Sequence, residues 1–185
     1  MVSQIRSTIF FLSASVTDES QLKEDIMKSF VMAALAASTM LAVTPAFAAD
    51  EINVAPGISA AGAPLALHGA DPVALLNGDK VALGSSYLSG THNGASYYFT
   101  SPQNAGAFME NPDRYEPQNG GFCTYGVSVG KKFDGDPRHF VVHDDKLFVF
   151  LNAATRDLFL EDIDGTIANA DAQWEQIQNT AAAEL

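Results

Sequence analysis

"THNGASYYFTSPQNAGAFMENPDRY", Thr91 to Tyr115, changes structural period twice within a few residues. Asn93-Gly94 is the dipeptide best able to hold two successive left-handed residues, so it predicts a type I′ hairpin turn. Tyr97 to Thr100 is aromatic-rich and strand-like. Ser101 then offers a hydroxyl to cap a helix. Pro102 suits the first helical position, where no N–H is needed, and Pro112 limits the far end. Phe108 is placed inward with Ala105 and Met109. A hairpin that feeds directly into a capped helix argues for an α+β architecture.

The same alternation continues outward. Downstream, "RHFVVHDDKLFVFLN" places apolar runs His139–Val142 and Leu147–Leu151 on either side of Asp144-Asp145, a second hairpin. The second run is apolar on both faces, which predicts a central strand. "AATRDLFLEDIDG" reads as a helix ending near Gly165. "TIANADAQWEQIQNT" reads as a last helix with Ile167, Ala170, Trp174 and Ile177 on one stripe. Upstream, Asp71 caps a short helix with Pro72 at its first position and Gly78 as its stop. "KVALGSSYLSGTHNGASYYFTS" follows as strand, link and hairpin. "EPQNGGFCTYGVSVGKKFDGDP", Glu116 to Pro137, carries five glycines and is expected as short broken pieces. The expected fold is one α+β domain over residues 68–178: a small antiparallel sheet of hairpins packed against three to four helices.

Bulk composition narrows the function. The chain has 185 residues, 47% hydrophobic, with a net charge of −12 and a pI near 4.4. Such a surface repels nucleic-acid phosphate and anionic lipid headgroups, and it suits small molecules or cations. Met27 opens a segment with the three parts of an export signal. Lys28 is the positive start, Phe30 to Val43 the apolar stretch, and Pro45 precedes the small-x-small site Ala46-Phe47-Ala48. Residues 27–48 are therefore expected as a signal peptide and the protein as periplasmic, with no membrane span after cleavage. Residues 1–26 fit no part of that signal and are expected as a non-native upstream extension. Residues 49–67, rich in Ala, Gly and Pro, are expected as a loose leader segment.

Taken together, the motifs resemble the YHS domain family in its exported, stand-alone form. The matching pieces are "GADPVALLNGDKVALGSSYLSG", "NGASYYFTSPQNAGAFMENPDRYEPQNGGFCTYGVSVG", "GDPRHFVVHDDKLFVFLN" and "DGTIANADAQW", spanning about Gly69 to Trp174. The resemblance implies a small α+β fold. It also implies metal handling, since YHS domains look like relatives of small metal-binding modules and occur beside copper-transport machinery. In the metal-binding version two cysteines stand where this chain has Thr100 and Asn104.

Cys123 is the single cysteine, in a compartment expected to be oxidising. Three roles stand open for it: a small buried hydrophobe, a metal or haem ligand, or a nucleophile. His139 and His143 are the accompanying candidate ligands. On a strand, residues four apart lie roughly 13 Å apart, too far for one metal ion to take both. His68 and His92 fall in expected loops, where solvation is the simpler role, although either could approach Cys123. Tyr98, Tyr115 and Tyr125 could line a cofactor pocket with their hydroxyls. No phosphate loop, dinucleotide fingerprint or serine elbow is present. The sequence reading is therefore a binding protein and not an enzyme, with copper or another transition metal near Cys123 as its ligand. The alternatives are a metal-free envelope interaction module and a small thiol-dependent enzyme. The candidate partners are a metal ion, an envelope protein and a second copy of the chain.

Overall fold

The structure is a computed structural model, and it describes residues 51–78 and 80–185. The expected signal peptide and the residues before it lie outside the described residues. The described chain is α+β, with two antiparallel two-stranded ladders and six α-helices.

Helix α1, Pro72–Leu76, has five residues, all buried. A helix this short has no stability of its own. Its start is fixed by Asp71, whose Oδ1 accepts from Val73 N at 2.9 Å and Ala74 N at 3.2 Å. Strands β1, Ser85–His92, and β2, Ala95–Phe99, form the first hairpin. Asn93 and Gly94 both have positive φ, 47° and 78°, as a type I′ turn requires. Helix α2, Pro102–Glu110, starts on Ser101, whose Oγ accepts from Asn104 N at 3.1 Å. Tyr97, Phe99 and Phe108 are fully buried, and the Phe108 ring lies 4.6 Å from Tyr97 and 5.2 Å from Phe99. Met109, expected inward, is 54% exposed. It is one residue past Phe108, a rotation of about 100° that carries it off the buried face.

The second hairpin joins β3, Asp136–His143, to β4, Lys146–Phe150. Its turn residues Asp144 and Asp145 also take positive φ, 49° and 61°. β4 is apolar on both faces as read, yet it is not a central strand. Its ladder is with β3 alone, and beyond that it gains a single bridge from Pro117 to Leu147. Leu147, Phe148, Val149 and Phe150 are buried because helices and the Gln118–Gly121 turn pack against the strand.

Helix α3, Pro112–Tyr115, follows α2 directly, and the glycine-rich connection after it holds a 3-10 turn at Gln118–Gly121 and helix α4, Thr124–Ser128, in short pieces as expected. Gly120 has φ +61°, and a Cβ there would sit 1.8 Å from the Glu51 carbonyl oxygen, so only glycine fits. That close approach helps hold the leader segment against the body. Asn53 N donates to Gly120 O at 2.8 Å, and Val54 bridges Ala66.

Helix α5, Ala153–Glu161, opens with a capping box between Asn152 and Thr155. It stops at Asp162 and not near Gly165. Asp162 turns the backbone to φ −149°, ψ 79°, and its Oδ1 accepts from Gly165 N at 3.1 Å. A capping aspartate thus begins helix α6, Ile163–Ile177, where the glycine suggested an ending. Ala170 and Ile177 of α6 join Phe122 and Val127 in a second core, with Trp174 against it. Lys132 is only 6% exposed there. Its Nζ donates to Gln178 O and Thr180 O, both at 2.7 Å, and lies 5.2 Å from the Phe122 and Trp174 ring centroids.

Candidate functional site

Among the described residues, three side chains with metal-ligating atoms converge from two separate places. His92 is the last residue of β1 and pairs with Ala95 across the Asn93-Gly94 turn. Asp113 and Glu116 are three residues apart around α3, so they lie on one side of that turn. Pro112 fixes where α3 begins, and Glu116 N donates to Pro112 O at 2.9 Å to end it. The three side chains offer one nitrogen and two carboxylate oxygens within 4.8 Å of one another.

The imidazole is held from behind by Phe108, edge-on at 6.4 Å. Its Nε2 is buried and has no hydrogen-bond partner. It lies 3.6 Å from Asp113 Oδ1 and 3.8 Å from Glu116 Oε1, too far for hydrogen bonds. Glu116 is tied on its other side, because the Tyr97 hydroxyl donates to Oε1 at 3.0 Å. Burial pushes the Glu116 carboxyl above the ordinary carboxylate range, and the His92 charge and the Tyr97 bond oppose that rise. Burial also drives the Tyr97 phenol far above its ordinary value, and the Glu116 charge adds to it. Tyr97 is therefore a hydrogen-bond donor here and Glu116 its acceptor.

Glu116 and Tyr97 also line a pocket of about 180 Å³. Its other walls include Glu51, Asn93, Trp174 and Gln178.

The residues singled out from the sequence lie elsewhere. Cys123 caps α4 and is fully buried in a cluster with Phe148, Phe150 and Phe159. Its Sγ accepts from Gly126 N at 3.5 Å. His143 lies 3.6 Å from Asp144 Oδ2 and 4.0 Å from Asp164 Oδ1, at a hollow of about 260 Å³ that Lys146 also lines. His139 sits on the same strand, and neither histidine belongs to the His92 group. Tyr98 lines a hollow with Ile58 and Leu65, Tyr115 lies 6.5 Å from Phe108, and Tyr125 packs beside the Cys123 cluster. The three tyrosines thus occupy three separate places. His68, expected in a loop, is exposed and shares a 3.0 Å hydrogen bond with Asp134.

His92, expected in a loop and near enough to approach Cys123, instead ends β1 and faces Asp113 and Glu116. A histidine directly before an Asn-Gly turn lies at a hairpin's end, and the sequence signal for its partners is Asp113-x-x-Glu116 behind a proline.

Asp71 forms a different kind of site. It is fully buried. Its Oδ2 accepts from Thr100 N at 2.8 Å, from Thr100 Oγ1 at 2.7 Å and from Asn104 Nδ2 at 2.7 Å. With the two cap bonds, five donors meet one carboxylate, which satisfies a group that is otherwise costly to bury.

No family model matches the chain, and no curated protein or solved structure matches it.

Proposed function

We propose that the chain is an exported metal-binding domain that takes a divalent transition-metal ion between His92, Asp113 and Glu116. The observation that carries this reading is the buried, unpartnered His92 Nε2 facing two carboxylate oxygens. A buried acceptor or donor left without a partner is costly, and a metal ion is one group that relieves it. The spacing suits the role. Two ligands about 2.1 Å from a tetrahedral ion lie about 3.4 Å apart, close to the 3.6 and 3.8 Å separations here. The remaining coordination positions fall to water or a bound ligand.

The donor set selects among metals. One imidazole and two carboxylates suit Zn²⁺, Mn²⁺, Ni²⁺ or Cu²⁺, and the absence of sulfur disfavours Cu⁺. Tyr97 holds Glu116 in place, as partners of metal-ligating carboxylates do. The motif resemblance to YHS domains supports metal handling in the cell envelope, through a different set of residues. The acidic chain attracts cations to the site.

Isothermal titration of the purified protein with Zn²⁺, Mn²⁺ and Cu²⁺ tests this. One ion per chain is expected. His92→Ala and Asp113→Asn should each weaken it by about tenfold or more, while Cys123→Ser leaves it unchanged. Binding as tight in His92→Ala as in wild type, or binding that disappears with Cys123→Ser, overturns the assignment.

A further inference from the structure

The pocket beside Glu116 has its own chemical character. Two carboxylates, Glu51 and Glu116, stand among its walls, and no lysine or arginine does. Trp174 supplies aromatic surface, and the Asn93 and Gln178 amides add further hydrogen-bonding groups. An anion would meet repulsion there, and a neutral apolar group would leave the acids and amides unmatched. A cation carrying N–H donors satisfies all three wall types. It pairs with the carboxylates, donates to the amide oxygens and lies against the electron-rich indole ring. The Trp174 ring already serves a cation in this way, since Lys132 Nζ lies 5.2 Å from its centroid. Lys132 itself is committed to two main-chain carbonyls. The volume of about 180 Å³ limits the occupant to a small molecule.

We infer that this pocket binds a small organic ammonium ion, a primary amine with a short alkyl tail. The site shares Glu116 with the metal group but uses neither His92 nor Asp113, so the amine is titrated into metal-free protein, where the two assignments separate.

Trp174 is the chain's single tryptophan, so its fluorescence reports this pocket directly. The purified protein should show a saturable change in emission with n-butylammonium chloride. Sodium chloride at equal ionic strength controls for salt, and n-butanol is the neutral counterpart of the same shape. Glu51 is exposed, so Glu51→Gln leaves the fold intact. It should weaken n-butylammonium binding by about tenfold, the worth of one lost charged contact. In metal-free protein His92→Ala should leave saturable amine binding in place while it weakens metal binding by about tenfold or more, which separates the two assignments. An identical response to n-butanol, no saturable response, or a Glu51→Gln protein that binds as tightly as wild type would each overturn the inference.

Discussion

Asn104 Nδ2 donates to Asp71 Oδ2 over 2.7 Å, joining the first turn of α2 to the cap of α1. Thr100 reaches the same oxygen from the end of β2. These are the two positions at which the resemblance to YHS domains places cysteine. In this chain both residues are spent as donors on a carboxylate, so they hold three elements together and offer nothing to a metal. Asp71→Ala should therefore destabilise the protein by about 3 kcal/mol, from a lost helix cap and orphaned buried donors. Urea unfolding measures it, and a loss below about 0.5 kcal/mol, the range of an ordinary surface substitution, would show that the network is not structural.

Cys123 is shielded by three phenylalanines and serves as a helix cap through sulfur. Reaction with a thiol reagent should be negligible in buffer and fast in denaturant, because access requires unfolding. Rapid labelling of the native protein would contradict the buried assignment and reopen a chemical role for the thiol.

Phe159 is the side chain through which α5 covers β4, with its ring 5.4 Å from Phe148 and 4.8 Å from Phe150. Phe159→Ala should cost about 3–5 kcal/mol, combining lost burial with a cavity that the hairpin cannot collapse to fill. Phe133, at 45% exposure, provides the contrast. Its replacement by alanine should cost much less, and equal losses in thermal unfolding would refute the ranking.

Asp136 starts β3 and accepts from the Arg138 guanidinium, whose Nε lies 3.0 Å from Oδ1 and 2.9 Å from Oδ2. These bonds hold its carboxyl below the ordinary value of 3.8, with burial opposing them and the Arg138 and His139 charges assisting. The folded state thus prefers the ionised form. Its contribution is present above pH 3.8 and is lost as pH falls through the depressed value. Asp136→Asn should flatten the acid limb of a stability-versus-pH curve in that window and change its shape little near neutrality. An unchanged acid limb would show that other carboxylates dominate it.

The parts of the fold legible in sequence are those set by local backbone chemistry. Asn93-Gly94, Ser101-Pro102 and Asp71-Pro72 each act on the next few residues, and each does in the structure what its residue types demand. Two misreadings share a cause. Gly165 was a sound stopping signal, but Asp162 competes for the same turn, and a side-chain cap there starts a helix. β4 carries the sequence of a central strand, yet it pairs in a ladder with β3 alone and helices pack against it. Sequence period reports burial, not the identity of what covers a strand.

The site was less legible because its parts are joined only by tertiary folding. His92 meets Asp113 and Glu116 across the hairpin and α3, and no fixed spacing announces that meeting. Strand side chains alternate, so Tyr97 turns inward to Glu116 while Tyr98 faces the leader segment.

The ammonium of Lys132 carries a consequence for how the protein folds. Its carbonyl partners belong to Gln178 and Thr180, near the C-terminal end of the sequence. The bonds span 46 and 48 residues of sequence, so local contacts alone cannot complete the second core: the Lys132 ammonium is buried where the segment after α6 is laid against it, and that closure carries the entropic cost of a long loop.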